Sequence, residues 1–112
     1  MAVYVSNLVV NTGTDFNQTF TLEDGSTNSA INLTGYSIKA EMRKHPSSTG
    51  VTTFTSSIYS AINGQIKIGL STTTTSSLKS GRYIYDVVVT DTSNVMSRVV
   101  EGMVLVSKGA TQ

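Results

Sequence analysis

The chain has 112 residues, eight Lys or Arg against seven Asp or Glu, a net charge of +1, a charged fraction of 13% and no cysteine. That length suits one domain able to fold around a modest core without metals or disulfides. The charge balance excludes the basic field that a nucleic-acid backbone requires, and the lack of thiols excludes disulfide frameworks and thiolate metal sites.

Ser and Thr fill 33 positions, many alternating with apolar residues, which suits the half-buried surface of a β-sheet. Val3 to Val10 reads as a first strand. Ser6, Asn7 and Asn11 break its apolar run and no basic segment precedes it, so neither a signal peptide nor a membrane span is expected. After Asn11-Thr12-Gly13, Phe16, Phe20 and Leu22 share one parity, and Asp24-Gly25-Ser26 is a turn. Tyr36 to Arg43 alternates cleanly, with Ile38, Ala40 and Met42 inward, and leads to a loop from His45 to Gly50. Val51 to Ile58 follows, then the tight-turn dipeptide Asn63-Gly64, then Gln65 to Leu70 with Ile66, Ile68 and Leu70 inward.

Thr72 to Leu78 breaks the alternation and predicts one short helical turn. Lys79-Ser80-Gly81 opens Arg82 to Thr90, in which Tyr83, Tyr85, Val87 and Val89 face one way. Ile84 and Val88 face the other, the pattern of a central strand covered on both sides. Asp91 to Asn94 turns the chain into Val95 to Val106, where Gly102 within an apolar run predicts a bulge or a close backbone contact. About seven strands at this spacing predict an all-β, two-layer antiparallel β-sandwich occupying 1–112 as one domain, with an open barrel as the alternative.

Little in the sequence points to chemistry. His45 is the single histidine, set in Arg43-Lys44-His45-Pro46 with no carboxylate beside it to orient it as a base or share a metal. No serine stands in a nucleophile-elbow pattern, and no array of acids has calcium-loop spacing. Glu23-Asp24 precede a turn glycine, and Gly64 and Gly69 flank a strand rather than opening a helix. Asp86 interrupts an apolar strand and needs a partner, for which Arg82, Arg98 and Lys39 are the candidates. No catalytic residue, cofactor or metal is therefore expected. Tyr36, Tyr83 and Tyr85 have core parity, which leaves Tyr4 and Tyr59 as exposed aromatic platforms.

Gly13-Thr14-Asp15-Phe16, Asn32-Leu33-Thr34-Gly35-Tyr36 leading into Ala40-Glu41-Met42-Arg43, and Ser80-Gly81-Arg82-Tyr83-Ile84-Tyr85-Asp86-Val87 occur in order, followed by Glu101-Gly102-Met103-Val104-Leu105-Val106. The arrangement resembles small virion structural proteins of tailed bacteriophages, particularly the marine cyanophage type. It is also similar to the N-terminal domain of phage upper baseplate proteins. The resemblance implies an immunoglobulin-like or jelly-roll sandwich that assembles into a tail, baseplate, fibre mount or capsid decoration, and it carries over no catalytic residue. The chain has no fibre or receptor-binding region after this stretch, so direct host recognition is not part of the expectation.

The resulting expectation is a non-enzymatic virion protein, made in the host cytoplasm, whose partners are itself and other virion proteins rather than nucleic acid or membrane. The terminal strands, Val3 to Val10 and Met103 to Val106, are apolar and almost uncharged, and such edges invite pairing in a homo-oligomer. The candidate interaction surface is Val3, Tyr4, Val5, Tyr59, Met103 and Leu105. The rival expectation is a non-catalytic module that binds a glycan or a peptide.

Overall fold

Each alternating stretch is extended in the computed structural model, which describes residues 4–23, 29–45 and 50–108. Val3, the Asp24-Gly25-Ser26 turn and residues 46–49 of the loop after His45 lie outside the described residues. Seven extended runs divide into nine strands among the described residues. The first run is split at Ser6-Asn7 into β1 (Tyr4–Val5) and β2 (Leu8–Asn11). β3 (Phe16–Thr21) and β4 (Ser37–Arg43) follow. The fourth run is split at Phe54 into β5 (Thr52–Thr53) and β6 (Thr55–Ser60). β7 (Gln65–Leu70), β8 (Gly81–Thr90) and β9 (Met96–Ser107) complete the set.

The larger sheet runs β1-β9-β8-β4-β5, with β2 continuing β1 along β9, and the smaller runs β3-β7-β6. Phe54 is where the chain changes sheets. Its N–H donates to Ala40 O at 2.9 Å while its buried ring packs against Phe16 and Tyr85 between the layers. Counted as runs, the second, fifth and fourth face the third, sixth and seventh. That is the immunoglobulin-like arrangement rather than the jelly roll. A tyrosine corner accompanies it: Tyr83, near the start of the sixth run, donates its hydroxyl to Lys79 O at 2.8 Å.

One feature of the expected antiparallel sandwich needs correcting. β1 and β2 run parallel to β9. No hairpin joins these distant segments, and only a tight hairpin forces strands to run antiparallel. The C-terminal strand is consequently an inner strand, between β8 and β1/β2, and only the N-terminal strand forms that edge of the sheet.

The core collects the inward parity of every run. Leu22, just after β3, and Ile66 and Ile68 from the smaller sheet meet Val10, Met42, Val87 and Val104 from the larger, all essentially without solvent contact. Ile38 and Tyr83 pack against this cluster but stay partly exposed. The helical turn expected after Leu70 is α1 (Thr72–Ser76), capped by the Ser71 side chain on Thr74 N–H. Asp15, just before β3 and beside the end of β7, reaches it across the strand pair, accepting from Thr72 N–H at 2.9 Å and from the Thr72 hydroxyl at 2.8 Å. At Asn63-Gly64 the turn needs glycine twice over. Its φ is +66°, and a Cβ would stand 2.5 Å from Leu22 O.

The bulge expected at Gly102 is elsewhere. Glu101 and Gly102 pair regularly with Asp86 and Tyr85, and the extra residue is Val99, since Val87 faces Val100 while Val88 faces Arg98. The other half of the expectation holds, because a Cβ on Gly102 would run into Ser6 O. β8 is a central strand as expected, but its outer face is not covered: Ile84 and Val88 are only half-buried.

Candidate functional site

The bulge at Val99 decides what the outer face of the larger sheet presents. On unbroken alternation from Leu105, Met103 and Glu101, the chain would turn Val99 outward and Arg98 inward. The extra residue reverses that parity. Val99 and Val100 are both buried, and Arg98 and Met96 join the outward set.

The strand registers arrange this face in rows across the sheet. Ser37, Thr90 and Met96 form the first, and Lys39, Val88 and Arg98 the second. Glu41, Asp86, Glu101 and Val5 form the third. Arg43, Ile84 and Met103 form the fourth, and Arg82, Leu105 and Val9 the fifth. A row of cations therefore lies beside a row of carboxylates, with apolar side chains on both flanks.

Like charges directly opposite one another weaken a sheet, so the Glu41-Asp86-Glu101 row depends on its neighbours. Arg98 serves two of the three acids, with Nε 3.2 Å from Asp86 Oδ2 and Nη1 3.5 Å from Glu101 Oε2. Of the three cations considered for Asp86, the bulge selects Arg98. Glu41 lies 3.9 Å from Lys39 Nζ and 4.0 Å from an Arg43 nitrogen. All of these pairs are partly solvated, so each contributes about 0–1 kcal/mol and none is a strong clamp.

The face forms a shallow open depression of about 1030 Å³. The exposed apolar side chains here are Val5 at 75%, Met96 at 68%, Val9 at 57%, Leu105 at 46% and Met103 at 45%. The smaller sheet's outer face has a different chemistry: Asn17, Thr19, Thr21, Thr55, Ser57, Gln65 and Lys67 surround Gly69.

Of the residues expected to form an interaction surface, Val5, Met103 and Leu105 share the outer face of the larger sheet. Tyr4 is exposed at its free edge, opposite Val100. Tyr59 stands apart, at a register shift on β6 in the other sheet, and Val3 is outside the described residues. Sequence reading passed over Val9, because Leu8-Val9-Val10 is apolar on both parities, and Met96, because its parity depends on the bulge. His45 is exposed just beyond β4. Among the described residues no three His, Asp or Glu side chains converge as a metal site, and no buried side-chain nitrogen or oxygen lacks a hydrogen-bond partner. No described helix is long and apolar enough to cross a membrane.

The N-terminal edge is held to this sheet at its split. Ser6 N–H donates to Glu101 O at 2.9 Å, and Asn7 Oδ1 accepts from Met103 N–H at 3.1 Å. The Tyr85 hydroxyl donates to Ser6 O at 2.6 Å from within the core. Burial pushes the Tyr85 hydroxyl up to about 12.

Comparison with known proteins adds little. No family model and no curated protein matches the chain. Among solved structures it is similar to an internalin-like protein of Listeria monocytogenes, lmo2027, at 10% identity and a TM-score of 0.46, the match covering 96% of this chain and 28% of that one.

Proposed function

We propose that this chain is a non-enzymatic structural protein of a tailed-phage virion that works by protein–protein assembly. One observation carries the reading: exposed Val5, Val9, Met96, Met103 and Leu105 gather on one face of the larger sheet, around charged rows of both signs. Aliphatic and thioether side chains bordered by charge are the composition of a surface that another protein desolvates. The resemblance to virion proteins in the sequence supplies the setting. Mass spectrometry of purified particles from the encoding phage is the test. Recovery of the chain at a fixed stoichiometry to the major virion proteins is expected, and its absence from intact particles would remove the virion role.

A second reading, a glycan-binding module, draws on the smaller sheet. Tyr59 is 65% exposed there, and the same sheet carries a recess of about 250 Å³ lined by Asn17, Ser57 and Lys67. An exposed aromatic on a sheet that also presents amide, hydroxyl and amine groups suits a sugar ring. Glycan-array binding that disappears in Tyr59→Ala would favour this reading over assembly.

A further inference from the structure

We infer that the partner of the larger sheet's outer face is a second copy of the same chain, seated by a two-fold axis that lies in the interface and runs across the strands. The inference rests on the assembly reading above and names its partner. It follows from the order of the rows. The basic second row, with Lys39 and Arg98, lies next to the acidic third row, with Glu41, Asp86 and Glu101. A two-fold between these rows lays each row over the other in the partner copy. Lys39 then faces Glu41 of the second copy, and Arg98 faces its Glu101. The same operation sets the first row over the fourth, so Met96 meets Met103 of the second copy and Thr90 meets Ile84. One rotation thus pairs opposite charges on β4 and β9 and joins the exposed methionines, while Val88 comes over Asp86 and the fifth row, with Leu105 and Val9, lies beyond the overlap.

The dimensions agree. The sheet is five strand positions wide and the two-fold overlaps four of its five rows, which at ordinary strand spacing and rise makes a face of roughly 600 Å². Specific interfaces begin at about 600 Å² from each partner. The paired sheets pack with their strands aligned, one of the two stable ways for twisted sheets to meet. Among the described residues, the smaller sheet's outer face has no comparable apolar set and no adjacent rows of opposite sign; Lys67 is its cation.

Charge-swap variants read out by light scattering test the arrangement, with circular dichroism confirming that each variant is folded. Lys39 and Glu41 are suitable targets because Lys39 is largely exposed and neither lies in the core. The wild-type protein at micromolar concentration is expected at twice its chain mass of 11.9 kDa. Lys39→Glu and Glu41→Lys each set like charges across the two-fold at two symmetric places, weakening dimerisation more than roughly tenfold. The double swap reverses every such contact and restores the dimer. Met103→Glu also yields a monomer. A monomeric wild type, single variants that keep the dimer mass, or a double swap that stays monomeric would each overturn the inference. A monomer nonetheless recovered in virions removes self-pairing and leaves the virion role standing. A dimer missing from purified particles does the reverse.

Discussion

Gly102→Ala tests how the N-terminal strand is held to the sheet. The added methyl would overlap Ser6 O and lie 2.8 Å from the Ser6 carbonyl carbon and 3.1 Å from Asn7 Oδ1. Backbone cannot swing aside like the end of a side chain, so one of two relaxations follows. In the first, β1 and β2 stay paired and the strain of overpacking costs about 1–3 kcal/mol. In the second, the strand lifts away. Leu8 and Val10 are then uncovered at about 1.5–3 kcal/mol each, together with hydrogen bonds of about 0.5–1.5 kcal/mol apiece. Backbone entropy of about 1–2 kcal/mol per freed residue offsets much of that loss. Lifting is adopted only where it costs no more than the strain, so the net cost is about 1–3 kcal/mol, which urea unfolding measures directly. Amide exchange separates the two cases, because lifting exposes the Leu8–Asn11 amides well below the global unfolding free energy. Gly50→Ala is the control, since a Cβ there meets none of the described residues within 4 Å. A Gly102→Ala protein within about 0.5 kcal/mol of that control would show that the close approach of Ser6 does not constrain the strand.

The same strand is probed from the core by Tyr85→Phe, expected to cost about 0.5–1.5 kcal/mol in urea unfolding through loss of the bond to Ser6 O. Tyr85 titrates higher in the folded state, about 12 against 10.0, so the stabilisation from its neutral form is complete below pH 10 and is lost as the pH rises from 10 to 12. Wild-type stability should fall across that window more steeply than that of Tyr85→Phe, and parallel profiles would refute the assignment. Ile68→Ala, at a fully buried position between β3 and β6, should cost about 2–5 kcal/mol by the same unfolding assay. Asp15→Ala removes the cap that the start of β3 places on α1 and should lower stability by about 1 kcal/mol, within the usual range for a lost cap.

The resemblance motifs acquire local physical reasons from the same contacts. Asp15 in Gly13-Thr14-Asp15-Phe16 caps α1, and Thr14 O accepts from the buried Thr75 hydroxyl at 2.7 Å. In Asn32-Leu33-Thr34-Gly35-Tyr36, Tyr36 N–H closes a turn onto Leu33 O while the Leu33 side chain is buried in the core. Ser80-Gly81-Arg82-Tyr83 carries the tyrosine corner at the start of β8. Each motif fastens a junction between runs, where the alternating pattern gives no instruction.

By itself the sequence determined what depends on near neighbours along the chain. Alternation placed Ile66, Ile68, Tyr85, Val87 and Val89 inward, and turn residues placed the Asn63-Gly64 and Asp91–Asn94 reversals, because side-chain parity and turn geometry are settled within a few residues. The break in Thr72–Ser76 marked the helix for the same reason. Only the tertiary structure decided what depends on pairing. It set the N-terminal strand parallel to β9, moved the C-terminal strand from edge to interior, and separated Tyr59 from Val5, Met103 and Leu105 on opposite sheets. It also chose Arg98 for Asp86. The deciding event was one extra residue at Val99, visible in the sequence as an irregular apolar run but assignable to a position only against the partner strand. A bulge is a mismatch between two strands, so no single strand's sequence specifies it, and here it turns Met96 and Arg98 onto the outer face of the sheet.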